Sequence, residues 1–238
     1  MADAQDDLPT RLQRVRDKIA TCARRSGREP DDITLIAVSK THPASSIKEA
    51  LSLGVSDFGE NRVQEADLKI ETVGRSAASW HLIGHLQANK ARRAIKLFDW
   101  IHSLDSVALA QRLDRACAEE GRAELSVLIQ VDLASEETKS GIEPPALPEL
   151  IETVNNCARL KLRGLMVLPP FYEESEKVRH YFQRLRALRD ELSEQGHFAG
   201  NRGELSMGMT HDFEVAIEEG ATIVRIGTAI FGAREAIK

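Results

Sequence analysis

The sequence predicts an α/β fold, a TIM-type (β/α)8 barrel preceded by one extra helix, and three observations predict it. Short apolar, β-branched runs alternate with amphipathic stretches about eight times in about 200 residues, the repeat of such a barrel. Several of these runs are apolar at consecutive positions, as in a parallel sheet covered on both faces. Glycine follows most of the amphipathic stretches, where a helix C-cap needs it. The length of 238 residues suits one domain spanning residues 1–238. A doubly wound open sheet with fewer strands accommodates the same rhythm and is the alternative.

In order, residues 8–26 carry Leu8, Leu12, Val15, Ile19 and Cys22 at helical spacing, with Gly27 beyond. Ile33 to Lys40 reads as the first strand. Pro43 opens a helix with Ile47, Ala50, Leu51 and Leu53 inward, ended by Gly54. Asp57–Glu60 is a short second strand, and Asn61 starts a helix with Val63, Ala66, Leu68 and Ile70 as its apolar positions. Trp80–Gly84 is the third strand, followed by a basic helix from Ala88 to Leu97 and a fourth strand, Trp100–Leu104. Asp105 caps a helix reaching Glu120. Leu125–Leu133 is the fifth strand, then a polar loop from Ala134 to Gly141 and a helix from Pro145 to Asn156. Leu160–Val167 is the sixth strand, Glu173–Glu194 a charged helix, Glu204–Ser206 the seventh strand, Asp212–Glu219 a short helix and Thr222–Gly227 the eighth strand.

Lys40 ends the first strand. In such folds the C-terminal strand ends face the ligand, and a lysine whose pKa falls on burial is a Schiff-base nucleophile. By itself a lysine there more often snorkels into water. Two loops add to it: Ser206-Met207-Gly208-Met209 after the seventh strand and Arg225-Ile226-Gly227-Thr228 after the eighth. Glycine admits an anion close to the backbone, and barrels often bind phosphate after strands seven and eight. An amine across the mouth from a phosphate cradle fits pyridoxal 5′-phosphate (PLP), a vitamin B6 cofactor.

Composition narrows the function classes. A formal charge of −5 argues against sequence-independent nucleic-acid binding. The basic first helix, with Arg11, Arg14, Arg16 and Lys18, reads as a solvated face with local salt bridges. Cys22, Cys117 and Cys157 are widely spaced, which suggests reduced thiols in a cytoplasmic protein. No apolar run suggests a signal peptide or a membrane span.

The motifs Ala37-Val38-Ser39-Lys40-Thr41, Phe58-Gly59-Glu60-Asn61, His81 to Lys90, Lys139-Ser140-Gly141, Arg163-Gly164-Leu165-Met166, Leu205 to Met209 and Val224 to Gly232 occur in an order that resembles the pyridoxal phosphate homeostasis protein family. These are relatives of the alanine racemase N-terminal barrel, and the likeness runs from about Ile33 to Arg234. It implies a PLP fold type III-like barrel with Lys40 as the Schiff-base lysine, Ser206 and the backbone of Gly227 and Thr228 at the phosphate, Arg225 at the pyridine nitrogen and Asn61 lining the cofactor. Ala88 stands where the family usually has Ser.

An arginine at the ring nitrogen disfavours its protonation and weakens the electron sink. A racemase also needs a second acid/base, which in alanine racemase is a tyrosine from a second domain that these residues do not include. Tyr172 and Tyr181 are the tyrosines here. Two functions follow: a non-catalytic PLP carrier in intracellular PLP homeostasis, which is favoured, or a PLP-dependent amino-acid racemase. The first implies recipient apo-enzymes as partners and a monomer. His81 and His85 are four apart but lack the acidic residue of a helical zinc motif. Glu136-Glu137 and Glu173-Glu174 read as solvated faces, and Met166, Met207 and Met209 as packing or an apolar wall of the site.

Overall fold

The computed structural model describes residues 6–134, 140–198 and 201–233. Its elements are α1 (Leu8–Arg25), β1 (Thr34–Val38), α2 (Ala44–Ser52), β2 (Asp57–Glu60), α3 (Val63–Val73), β3 (Ser79–Leu82), α4 (Ala91–Leu97), β4 (Trp100–Leu104) and α5 (Val107–Glu119). They continue with β5 (Leu125–Gln130), α6 (Leu147–Asn156), β6 (Leu160–Met166), α7 (Arg179–Glu194), β7 (Glu204–Ser206), α8 (Phe213–Glu218), β8 (Ile223–Ile226) and α9 (Thr228–Phe231). The eight strands pair in parallel in chain order, and β8 closes on β1 with Ile36 opposite Arg225. Closure removes both sheet edges, which rules out the open doubly wound alternative.

Alternation along the strands builds two cores. Outward residues such as Ala37, Phe58, Trp80, Leu82, Ile101 and Leu205 pack under the helices. Inward, Ile36, Val38, Ile83, Leu128, Met166 and Ile223 form a smaller apolar cluster, with Trp100 and Leu168 against it. Each fully buried aliphatic side chain contributes about 1.5–3 kcal/mol. The rest of the interior is polar: His81, His102, Gln130, Ser206 and Arg225 are all buried.

Helix α1 is capped by Asp7, whose Oδ1 accepts the Thr10 N–H at 2.9 Å. Its basic residues join elements together: Lys18 pairs with Glu214, Arg25 pairs with Glu218, and the Arg11 Nε–H donates to Ile230 O at 2.7 Å. On α4, Arg93 pairs with Asp67, while Arg92 and Lys96 pair with Glu120. Among the described residues, no helix is long and apolar enough to cross a membrane. All three cysteines carry free thiols.

Several expected boundaries move. The first strand ends at Val38, because Thr41 turns the chain with φ 67° ahead of Pro43. The third helix begins at Val63 and not at Asn61, and α5 is capped by Ser106 instead of Asp105. Strand β5 stops at Gln130, and α7 is preceded by a 3-10 turn, Ser175–Val178. Leu68, expected to face inward, is 70% exposed, and Lys69 takes the buried place beside Ala66 and Ile70. Glu136, Glu137 and Lys139 lie outside the described residues.

Candidate functional site

At the end of β1, Ile36 and Val38 point into the barrel, and the half-buried Lys40 follows on the same parity. The residues on either side of it are clamped. The Lys69 ammonium donates to Ser39 O at 2.7 Å, to Glu60 Oε1 at 2.8 Å and to Glu65 Oε1 at 2.6 Å. The Ser39 hydroxyl also donates to Glu60 Oε1, at 2.7 Å, and the Thr41 N–H donates to Glu65 Oε1 at 2.5 Å. Glu65 and Lys69 are one turn apart on α3, so a single helix face grips the chain before and after Lys40. Burial pushes the Glu60 carboxyl above its ordinary value, with Lys69 opposing. Burial acts the same way on Glu65, but the Lys69 and Thr41 hydrogen bonds outweigh it and hold that carboxyl low.

Arg225, on β8 next to β1, is buried inside the barrel. Its Nη1 donates to Ser206 Oγ at 2.6 Å and its Nη2 to Val167 O at 2.9 Å. Burial pushes its pKa down to about 10, with the nearby Asp212 carboxylate opposing. The Ser206 hydroxyl also meets His102 Nδ1 at 2.9 Å.

Two loops carry the chain beyond β7 and β8. Gly208 has φ 92°, and a Cβ there would sit 2.6 Å from the Ala216 Cβ, so glycine is required on both counts. After β8, Gly227 lies against β1, where an added Cβ would come within 3.2 Å of Val38 O, two residues before Lys40. Gly227 O accepts from the Ile230 and Phe231 N–H groups, both at 2.9 Å, which starts α9 at the exposed Thr228. The Thr210 hydroxyl accepts from the Ala229 N–H at 3.4 Å, joining the two loops.

Asn61 follows β2 and is held by the next loop: a Cβ on Gly84 would lie 2.3 Å from Asn61 O. Beside it opens a cleft of about 750 Å³ lined by Arg62, Gln64, His85, Gln87 and Lys90 among others. Lys40 is not among the residues lining this cleft, which meets the site at Asn61 and at Glu65 of the clamp.

Comparison with known proteins fits this geometry. Residues 10–235 match the family described as alanine racemase, N-terminal domain. A relative in Escherichia coli (strain K12), called pyridoxal phosphate homeostasis protein, is 46% identical over 97% of this chain and 98% of its own. The chain belongs to the pyridoxal phosphate homeostasis protein family. The structure of PipY of Synechococcus elongatus PCC7942, solved with PLP bound, superposes with a TM-score of 0.81 at 39% identity, covering 95% of this chain and all of that one. An alanine racemase of Clostridium difficile 630 shares the fold, with a TM-score of 0.70 at 19% identity over 58% of its length.

For this family member the structure brings Lys40, Gly227, Thr228 and Arg225 to the neighbouring strands β1 and β8, with Asn61 beyond β2. Ser206 lies deeper than the sequence suggested: it is fully buried and its Oγ is engaged by Arg225 and His102. Thr210 at the loop surface was overlooked; the signal was a hydroxyl two residues past Gly208, facing the start of α9. Met166 and Met207 are buried in the inner and outer cores, while Met209 is partly exposed. His81 and His85 turn to different partners, His81 to Asp57 and His102, His85 to Asp105. The Tyr172 and Tyr181 hydroxyls lie 3.5 Å apart, packed at α7.

Proposed function

We propose that this chain binds PLP through Lys40 and serves intracellular PLP homeostasis as a non-catalytic holder of the cofactor. The observation that carries the reading is the contact of Gly227 with Val38, which sets a glycine-started loop beside the strand end bearing Lys40. The names of the E. coli relative and of PLP-bound PipY support it.

The residues present fit the group. PLP supplies an aldehyde that condenses reversibly with an amine. Lys40 is that amine, and the Lys69 clamp on Ser39 and Thr41 fixes where it emerges. Gly227, Thr228 and the Thr210 hydroxyl are assigned to the phosphate, since glycine keeps side chains off the approach and backbone N–H groups favour an anion. Ser206, expected at the phosphate, also accepts a hydrogen bond from Arg225. Arg225 keeps donors beyond those used on Ser206 and Val167, and these are assigned to the pyridine nitrogen, where a cation opposes protonation. Asn61 lines the ring. The tyrosines of this chain, paired with each other at α7, do not supply an evident second acid/base, which supports holding over racemisation. Recipient apo-enzymes in the cytoplasm are the partners this reading names.

The test is an absorbance spectrum of wild type and Lys40→Ala after incubation with PLP, then borohydride reduction and intact mass. The expected result is an imine band and a reduced adduct in wild type, both absent from Lys40→Ala. An adduct that persists in the variant overturns the assignment to Lys40, and no uptake by wild type overturns the function. Sustained interconversion of any L- and D-amino acid by the loaded protein overturns the non-catalytic reading.

A further inference from the structure

The barrel interior holds more polar side chains than Lys40 and the phosphate loops call on. His81 Nε2 lies 3.0 Å from Asp57 Oδ1, His81 Nδ1 3.0 Å from His102 Nε2, and His102 Nδ1 2.9 Å from Ser206 Oγ, which Arg225 reaches at 2.6 Å. These five side chains come from β2, β3, β4, β7 and β8 and cross the barrel from Asp57, the first residue of β2, to Arg225. Inner barrel layers are ordinarily filled by Val, Ile and Leu, so a polar line there calls for a reason.

We propose that Asp57, His81 and His102 are positioning residues for Arg225, joined to it through Ser206 in one hydrogen-bonded chain with a single donor direction. What Arg225 does for a ligand rests on the cofactor reading above; the chain itself does not.

The direction follows from the two ends. A guanidinium has donors and no acceptor, so Ser206 Oγ accepts from Arg225. At the other end the Asp57 carboxylate accepts from His81 Nε2, so with both imidazoles neutral His81 Nδ1 and then His102 Nδ1 are acceptors, and the one hydroxyl hydrogen of Ser206 goes to His102 Nδ1. Neutral His102 therefore carries its hydrogen on Nε2 and donates it to His81 Nδ1. His81 in turn carries its hydrogen on Nε2 and donates it to the Asp57 carboxylate, with the Ser79 hydroxyl 3.1 Å from the same nitrogen. The donor-only group at one end and the acceptor at the other admit this order for neutral imidazoles. The reverse needs a second hydrogen on one imidazole. That is either a His102 cation beside the guanidinium, which burial, His81 and Arg225 oppose by holding the His102 pKa well below its ordinary value, or a His81 cation on Asp57 with the His102 hydrogen at Nδ1, which the His102 tautomer reveals.

Such a chain constrains orientation at a distance. With the Ser206 hydroxyl committed to His102, its lone pairs stay turned to Nη1, while Val167 O fixes Nη2. The guanidinium is then held in one rotamer with its remaining donors on one side. Removing the acceptor at His102 frees the hydroxyl to rotate and loosens that hold, even where the replacement fills the same space.

The experiment uses the full chain without cofactor, labelled with 15N at histidine and arginine. Wild type is expected to show His81 and His102 both protonated at Nε2 and resolved guanidinium signals for Arg225. His102→Leu fills space but breaks the chain, and is expected to average the Arg225 signals and weaken PLP retention about tenfold, the equivalent of one hydrogen bond of about 1.4 kcal/mol. His102→Gln, whose amide accepts at oxygen and donates at nitrogen, is expected to restore both. An Nδ1–H tautomer at His102, or Arg225 signals unchanged in His102→Leu, overturns the proposal. Should His102→Leu fail to fold, Asp57→Ala decides from the far end: shifted His81 and Arg225 signals support the chain, and unchanged Arg225 signals overturn it. If the tautomers and Arg225 signals behave as expected while wild type takes up no PLP, the cofactor reading fails and the chain stands.

Discussion

Two polar clusters flank the site, and they hold their cations in opposite ways. Outside the barrel wall, Lys69, Glu60 and Glu65 form a charged cluster that grips backbone, at Ser39 O and Thr41 N–H. Inside the barrel, imidazoles and a hydroxyl grip a side chain, Arg225. The difference reflects what each must fix. The position of Lys40 is set through the backbone of its neighbours Ser39 and Thr41. An arginine that only donates has donors to spare and can be held by its own head group. Charge suits the wall, where Lys69 sits between two carboxylates, while the interior holds Arg225 through hydrogen bonds, since a second cation beside it would be costly.

The largest effect is expected from breaking the wall cluster at its centre. Lys69→Met leaves Glu60 and Glu65 without their cation; Glu60 Oε2 is already buried with no hydrogen-bond partner. Loss of about 3–5 kcal/mol in urea unfolding is expected, with slower modification of Lys40 by an aldehyde probe. A loss below about 1 kcal/mol would mean the cluster is not the clamp described. Gly84→Ala tests the same wall without touching a charge. Its Cβ would drive into Asn61 O, and about 1–3 kcal/mol should be lost as the loop after β2 shifts.

Acid separates the two clusters. His102 stays neutral when folded, whereas an imidazole in the unfolded chain takes a proton below about pH 6.5. The unfolded state then binds more protons, so the stability tied to His102 is present above pH 6.5 and lost as pH falls below it, by up to about 1.4 kcal/mol per pH unit. Glu65, with its carboxyl held low, adds its loss only below its ordinary value of 4.5. Between these values the stability gap between wild type and His102→Gln should narrow on acidification, measured by denaturant titration at each pH. A constant gap would place a proton on His102 in the folded chain. The smallest effect is expected beside Lys69: Leu68→Gln, at a position 70% exposed, should change stability by no more than about 0.5 kcal/mol.

These comparisons also mark what the sequence disclosed. All eight strands and the position of Lys40 at the barrel mouth were legible, because consecutive apolar runs and glycine stops are local signals. Lys69 was not, since the same helix offered Leu68 as the more apolar candidate. The spacing of Val63, Ala66 and Ile70 and the Glu65–Lys69 pair decided the face. The interior chain was hidden for another reason. Asp57, His81, His102, Ser206 and Arg225 are scattered polar residues on five different strands, and only barrel closure brings them into contact. Thr210 was missed because its contact with Ala229 spans two loops whose packing no local pattern records.

The pairing of the first strand with the last has a consequence for synthesis. Lys40 is made with the first strand, but the strand bearing Arg225 and the Gly227 turn is the last of the eight to be made, and β1 lacks its β8 neighbour until then. Every shorter nascent chain leaves one side of β1 unpaired and the lysine without its surroundings. The β1–β8 seam is therefore the last part of the barrel to exist, and on the proposed role of Lys40 the appearance of a borohydride-trappable lysine during refolding with PLP would time the closing of the ring.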